Sequence, residues 1–172
     1  MFGEAMNIAE NTVSIRKMKV DDADAISDIY SMITQNTVDA EFKNRVREHA
    51  VLNCHEAPFV AELNGKVIGF MISYIVKLGF EAEKSAYIAT MGIHPQYMGQ
   101  SIGACLIREV SKFYKSQGIV RVYTSVRWDA ADILSFFKTV DFGRSNFINL
   151  KRDLNQLNLE SPQDAPGCRQ RS

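Results

Sequence analysis

One stretch of the chain, Ile88–Phe113, dictates a local order of strand, turn and helix that any fold must accommodate. An apolar run predicts the strand, and the dipeptide His94-Pro95 ends it. Three small residues, Gly99, Ser101 and Gly103, then lead directly into an amphipathic helical pattern. Because the first four amides of a helix have no partner within it, such a turn can hold a phosphate. A tight turn without chemical consequence is the alternative that glycines alone leave open.

The glycine turn lacks two familiar phosphate-binding patterns, since both GxxxxGK[ST] and GxGxxG are absent. The order of His94–Tyr97 followed by Met98–Gly103 instead resembles motif A of the GNAT superfamily, the acyl-CoA-dependent N-acetyltransferases. Two positions depart from that family's pattern: Met98 replaces an arginine or glutamine, and Ser101 replaces a glycine. The departures remove a side-chain contact to phosphate but keep the backbone amides, and Ser101 can also cap the helix.

The resemblance implies that acetyl-CoA is the co-substrate and that it binds in a wedge between two diverging strands. In such a site free backbone groups of Met91 and Ile93 pair with the pantetheine arm, and the amides of Met98–Ala104 hold the pyrophosphate. A bulge near Met91-Gly92 opens the wedge, since glycine otherwise weakens a strand interior. The cofactor-binding residues implied in this way are Met91, Gly92, Ile93, Met98, Gly99, Gln100, Ser101, Ile102, Gly103, Ala104, Ile133 and Phe137.

The same resemblance locates candidates for proton transfer and for substrate contact. Several family branches have a glutamate base at the position of Tyr87, and Glu83 near the start of the same strand could act through water. An ordinary strand aromatic and a solvated charge are the plain alternatives for these two residues. The tyrosine that many members use as an acid is Phe137 here, and a thiolate whose thiol has a pKa of roughly 8.5 can leave without it. Arg127 and Trp128 are candidates to contact acceptor or cofactor, unless they only pack at the rim of the wedge.

The element order places the chain in the α/β (α+β) class. It runs β-α-α-β-β-β-α-β-α-β, which is the order of the GNAT fold, with a mixed, mostly antiparallel sheet flanked by helices. Length and composition favour a single domain at residues 13–153, with loose tails at 1–12 and 154–172.

Local signals mark several boundaries within that domain. Asn64-Gly65 between two apolar runs predicts a hairpin, because both residues tolerate positive φ. Helices are predicted to begin at Asp21 and at Asp129, each with a second acid three residues later. Phe147–Lys151 predicts a last strand where the family commonly has two. We therefore expect an open acceptor cleft and hypothesise that a second copy of the chain covers it.

Bulk properties exclude several classes of function. The formal net charge is zero and basic residues are scattered, which argues against a nucleic-acid surface. The three cysteines show no CxxC spacing, so neither a disulfide framework nor a metal site is expected. No apolar window reaches the ~18 residues that a membrane span needs, and we expect a cytoplasmic protein.

The sequence thus predicts an N-acetyltransferase in which a primary amine attacks acetyl-CoA directly. The acceptor is a small-molecule or peptide amine whose identity the sequence does not specify. A module that binds acyl-CoA but has lost turnover is the competing hypothesis, because Met98, Ala130 and Phe137 depart from the family's pattern. A structural domain without nucleotide is a third.

Overall fold

A computed structural model of the chain describes residues 13–37, 40–51, 58–77 and 83–156. The predicted N-terminal tail, 1–12, and residues 157–172 of the predicted C-terminal tail lie outside these ranges. The strands and helices are β1 (Ser14–Lys17), α1 (Ala23–Thr34), α2 (Ala40–Val51), β2 (Phe59–Leu63), β3 (Lys66–Lys77), β4 (Lys84–Ile93), α3 (Ile102–Ser116), β5 (Val122–Thr124) and α4 (Ala131–Thr139). Short 3-10 helices precede α1 and α3, and a third spans Leu154–Gln156.

The five strands form one sheet in the order β1-β2-β3-β4-β5. All neighbours are antiparallel except β4 and β5, which confirms the predicted mixed, mostly antiparallel sheet. Asn64 and Gly65 turn between β2 and β3 with φ of 50° and 76°, as the hairpin signal predicts. Helices cover both faces, so the sheet separates two apolar cores.

Each core belongs to one face of the sheet. α3 buries Leu106 and Val110 against one face, together with Phe137 of α4. α1 and α2 pack on the opposite face, where Ile26 and Val46 belong to the second core. Apolar residues spaced three to four apart supply each helix with the stripe that this packing needs.

The predicted last strand at Phe147–Lys151 is wrong. The described residues from Gly143 to Asp153 contain no strand, and the side chains of Phe147 and Leu150 are 51% and 93% exposed. The segment meets the sheet through side chains instead: Asn149 Nδ2 donates to Ser125 Oγ at 2.8 Å. An apolar run becomes a strand only where a neighbour offers a ladder, and β5 is only three residues long.

Asp22, rather than the predicted Asp21, secures the start of α1. Its carboxylate accepts hydrogen bonds from the Arg16 guanidinium at 2.7 and 2.8 Å and from the Lys19 N–H at 2.7 Å. Arg16 also donates to Glu62 on β2 at 2.6 Å, so the cluster ties the helix start to two strands. Burial would raise the pKa of the Asp22 carboxyl, but the hydrogen bonds from Arg16 and Lys19 outweigh it and hold that pKa below its usual range.

Asp22→Ala is expected to lower the free energy of unfolding by about 2 kcal/mol, because hydrogen bonds to a charged group are lost and Arg16 keeps Glu62 as its one carboxylate partner among the described residues. Asp21→Ala is the matched control, since the exposed Asp21 carboxylate accepts no hydrogen bond from the described residues. Because the folded pKa of Asp22 is depressed, its contribution is complete above the unfolded value of roughly 4 and is lost as pH falls through the folded value. Urea denaturation should show the Asp22→Ala deficit shrinking below about pH 4; an equal deficit in Asp21→Ala would contradict this account.

Candidate functional site

The sheet splits between its two parallel strands. β4 and β5 pair only at Ala86–Val122, Tyr87–Tyr123 and Ile88–Thr124. Thr124 Oγ1 donates to the Ile88 carbonyl at 3.1 Å and marks the last contact before the strands separate. β4 continues to Ile93, whereas the chain after β5 turns away into α4. The strands therefore enclose a wedge whose vertex lies at Ile88 and Thr124.

A β-bulge lies beside this vertex. Ile88 pairs with Ser73 of β3 and Thr90 pairs with Ile72, so Ala89 is the extra residue. The sequence predicts the bulge near Met91-Gly92. In the structure the shift in pairing lies at Ala89, two residues before Met91. Gly92 has another reason to be glycine: a Cβ there would lie 2.7 Å from a ring carbon of Phe70 and 2.8 Å from Ile33 Cδ1.

The alternating direction of backbone hydrogen bonds along β4 points the N–H and C=O groups of two residues into the wedge. The His94 N–H donates to the Ile68 carbonyl, on the β3 side, at 2.8 Å. Successive residues of a strand address opposite neighbours, so the backbone groups of Ile93 and Met91 point away from β3. No β5 residue pairs with either of them within the described chain. Their N–H and C=O groups are therefore free to bind a ligand in the wedge.

The helix that follows β4 begins with a run of unused backbone donors. Its first turn is closed by the Cys105 N–H, which donates to the Ser101 carbonyl at 3.1 Å. Among the described residues, none accepts from the amides of Gly99–Ala104. Gly99 and Ser101 have φ of 78° and 60°, which turns the loop sharply into the helix. The Ser101 side chain does not cap the helix, contrary to the alternative that the sequence allows.

These features line one pocket of about 510 Å³. Ten of the predicted cofactor residues border it: Met91, Gly92, Ile93, Met98, Gly99, Ser101, Ile102, Gly103, Ala104 and Ile133. Five further residues complete the lining, and the sequence had indicated no role in cofactor binding for them: Ile33, Tyr97, Asp132, Phe136 and Thr139. Because Ile33 belongs to α1 and the others to the opposite side of the sheet, the pocket reaches both faces of the wedge.

Two predicted cofactor residues lie outside the pocket. The exposed Gln100 side chain turns back to the Gln96 carbonyl at 3.5 Å. Phe137 is 6% exposed and packs in the core beneath, while its neighbour Phe136 borders the pocket and lies 2.9 Å from where a Cβ of Gly103 would be. The one-residue shift follows from helix geometry, since α4 turns about 100° per residue. Phe136 and Phe137 follow Ile133 by three and four residues, and both spacings place a side chain on the same helix face as Ile133. The sequence could therefore have indicated Phe136 as readily as Phe137.

The two candidates for proton transfer lie at different levels of β4. Tyr87 is half-buried one residue before the vertex, with its ring 5.7 Å from that of Tyr74. Glu83 precedes β4 and is ion-paired with Arg121. It lies five residues before Ile88, or roughly 16 Å along an extended strand. Tyr87 thus lies one paired position before the wedge and does not border the pocket, and Glu83 lies further from the wedge still.

Arg127 and Trp128 follow the point where β5 leaves the sheet. Arg127 forms an ion pair with Asp129 at 2.5 Å, and Trp128 is 88% exposed. The hydrogen bond from Arg127 lowers the pKa of the Asp129 carboxyl. The N-cap of α4 is Ala130, so the helix begins at Ala131 instead of at Asp129 as predicted. His94 is a turn residue, since its Nδ1 accepts from the Gln96 N–H at 3.3 Å.

In the part of the chain that the structure describes, no helix combines the length and the apolar character that a membrane crossing requires.

The sequence pattern of the acetyltransferase (GNAT) family matches residues 23–142 of this chain. An acetyltransferase of Pectobacterium atrosepticum is 26% identical over 96 residues, which cover 55% of this chain and 63% of that protein. N-acetyltransferase family 8 member 2 of Rattus norvegicus is 26% identical over 113 residues, covering 63% of this chain and 49% of that protein. The match thus spans from about half to just under two-thirds of the length of these curated relatives.

Solved structures share the fold. Aminoglycoside N-acetyltransferase AAC(6')-Iy in complex with CoA has a TM-score of 0.75 at 14% identity, covering 87% of this chain and 99% of that one. Aminoglycoside acetyltransferase meta-AAC0020, from an uncultured soil metagenomic sample and in complex with sisomicin, has a TM-score of 0.70 at 18% identity. That comparison covers 83% of this chain and 96% of the other. At these identities the likeness establishes the architecture alone.

Proposed function

The chain belongs to the GNAT acetyltransferase family, and from that membership we propose that it transfers the acetyl group of acetyl-CoA to a primary amine by direct attack. The observation that carries the proposal is the run of unused amides from Gly99 to Ala104 beside the wedge. A pyrophosphate needs several donors at one point, and a helix N-terminus adds a favourable dipole. Met98 supplies no charge, so backbone N–H groups would bind the phosphates.

The wedge suits the remainder of acetyl-CoA. The outward backbone groups of Met91 and Ile93 would pair with the amides of an extended pantetheine arm, as a neighbouring strand does. Ile133 and Phe136 supply an apolar wall opposite them. An arm that starts at the phosphate-binding turn and follows β4 has its acyl end toward the vertex at Ile88. The Met91 N–H, which is the nearer of the two free donors, is then available to the oxyanion.

The reaction balances with few side chains. The amine nitrogen forms a bond to the thioester carbon, the C–S bond breaks, and the amine gives up one proton. Water accepts that proton near the Tyr87 hydroxyl, which has no hydrogen-bond partner among the described residues. The thiolate leaves unassisted because its thiol pKa of roughly 8.5 makes it a good leaving group, and Phe137 is buried and has no proton to donate. Positioning therefore accounts for most of the rate.

A thiol-release assay over a panel of amines tests the proposal. We expect acetyl-CoA to raise the melting temperature, since a ligand at a hundred times its Kd adds about 2.7 kcal/mol, and amines to accelerate release of free CoA. Stabilisation without amine-dependent release would favour the alternative, an acyl-CoA-binding module without turnover. The buried Phe137 and uncharged Met98 favour that alternative. The absence of any stabilisation would reject both.

A further inference from the structure

Three tyrosines stand side by side on neighbouring strands. Tyr74 of β3 pairs with Tyr87 of β4, and Tyr87 pairs in turn with Tyr123 of β5. The rings of Tyr74 and Tyr87 are 5.7 Å apart, and Phe147 adds a fourth ring 5.9 Å from Tyr123. We refer to Tyr74, Tyr87 and Tyr123 as the tyrosine row. It places aromatic rings on three neighbouring strands at one level of the sheet, where Tyr74 contacts Tyr87 and Tyr123 contacts Phe147.

The strand alternation assigns the row to one face. Ala86, Ile88 and Val122, the sequence neighbours of Tyr87 and Tyr123, pack in the core beneath α3. Successive side chains of a strand point to opposite faces, so the tyrosines face the side on which α1 and α2 lie. The three tyrosine side chains are half-buried. Their hydroxyls have no hydrogen-bond partner within the described ranges. The hydroxyls and the exposed parts of the rings can therefore contact a ligand.

The row crosses the sheet at the vertex of the wedge. Tyr87 and Tyr123 form the pair directly before Ile88 and Thr124, after which the strands separate. The phosphate-binding turn lies at the other end of the wedge. A second substrate that approaches the acyl end from the α1 face therefore passes over the tyrosine row.

We propose that the tyrosine row, extended by Phe147, binds the acceptor and selects a monoamine with a flat aromatic body. This inference rests on the proposed function. Aromatic faces attract a planar ring through stacking and edge contacts, and free phenol hydroxyls can orient the amine. A polycationic acceptor would need carboxylates. Glu83, which precedes β4, and Asp129, which follows β5, are each paired with an arginine.

Equilibrium binding of phenethylamine to the CoA-saturated protein tests the inference without requiring turnover. We expect saturable binding that weakens at least tenfold in Tyr123→Leu, because leucine fills a similar space without an aromatic face. Tyr123→Phe should bind within threefold of wild type, since it keeps the face. Phe147→Ala, at a 51% exposed position, should weaken binding without any cost to the fold. Leu150→Ala, from the same segment but 93% exposed, is the matched control and should bind as wild type does.

Several results would overturn the tyrosine-row proposal. These are no saturable binding of phenethylamine, equal binding by wild type and Tyr123→Leu, or tighter binding of the polycation sisomicin than of phenethylamine. Thiol release measured in parallel separates the two proposals. If phenethylamine binds in a Tyr123-dependent way and no amine releases CoA, the tyrosine row stands and acetyl transfer is rejected.

Discussion

Replacing Ala104 with aspartate is expected to weaken acetyl-CoA binding by about 100-fold while leaving the fold intact. Ala104 is half-buried in the first turn of α3 and borders the pocket beside the unused amides. A carboxylate there repels a pyrophosphate, and two like charges about 6 Å apart at an effective dielectric of 20 cost about 2.8 kcal/mol, which is about 100-fold in affinity. The same carboxylate favours the helix, because it complements the dipole by about 0.3–1 kcal/mol. Isothermal titration with CoA measures the loss, and thermal unfolding without ligand checks the fold.

Gln117→Glu provides the charge control for Ala104→Asp. It adds one negative charge without a change of shape at the opposite end of α3, where Gln117 is exposed. We expect its CoA affinity to stay within twofold of wild type. If both variants bind CoA as wild type does, the turn at Gly99–Ala104 is not the phosphate site, and the proposed function loses the observation that carries it.

Gly92→Ala is expected to lower the free energy of unfolding by about 2–3 kcal/mol. The added Cβ would lie 2.7 Å from the Phe70 ring and 2.8 Å from Ile33 Cδ1. Phe70 is fully buried and cannot move aside, so the core on the α1 face must expand, and overpacking of this kind typically costs about 1–3 kcal/mol. Urea denaturation measures the change.

Gly143→Ala is the matched control for Gly92, because no atom of the described residues lies within 4 Å of a Cβ at that position. Its stability should match wild type. Combining Gly92→Ala with Phe70→Leu should recover part of the loss, since the shorter side chain makes room. A Gly92→Ala protein as stable as wild type would show that the strand and α1 can separate freely at this point.

The sequence predicts the parts of the candidate site that depend on local backbone conformation. Gly99 marks the turn before α3, and Asn64-Gly65 marks the hairpin, because each depends on local conformation. The family pattern then supplies the wedge. Ten of the twelve predicted cofactor residues border the pocket for this reason, although binding itself stays a prediction.

Features that depend on tertiary contacts were not predictable in the same way. Gly92 resembles a bulge residue in sequence, yet its small size serves the approach of Phe70 and Ile33 from elsewhere in the chain. Phe147–Lys151 has a strand pattern but no neighbour with which to form a ladder. Asp22 and Asp21 are equivalent as sequence signals, and only the position of Arg16 on β1 distinguishes them.

The divided pairing of β4 has a consequence for solubility. Up to Ile88 it is an interior strand, and beyond that residue it is an open edge, which is the usual template for aggregation between sheets. Here the open edge lies at the bottom of a cleft walled by the start of α3 and by α4. Strands of a second sheet, about 4.8 Å apart and with side chains on both faces, cannot enter that space. The walls that admit a narrow ligand thus also prevent polymerisation through the opened sheet.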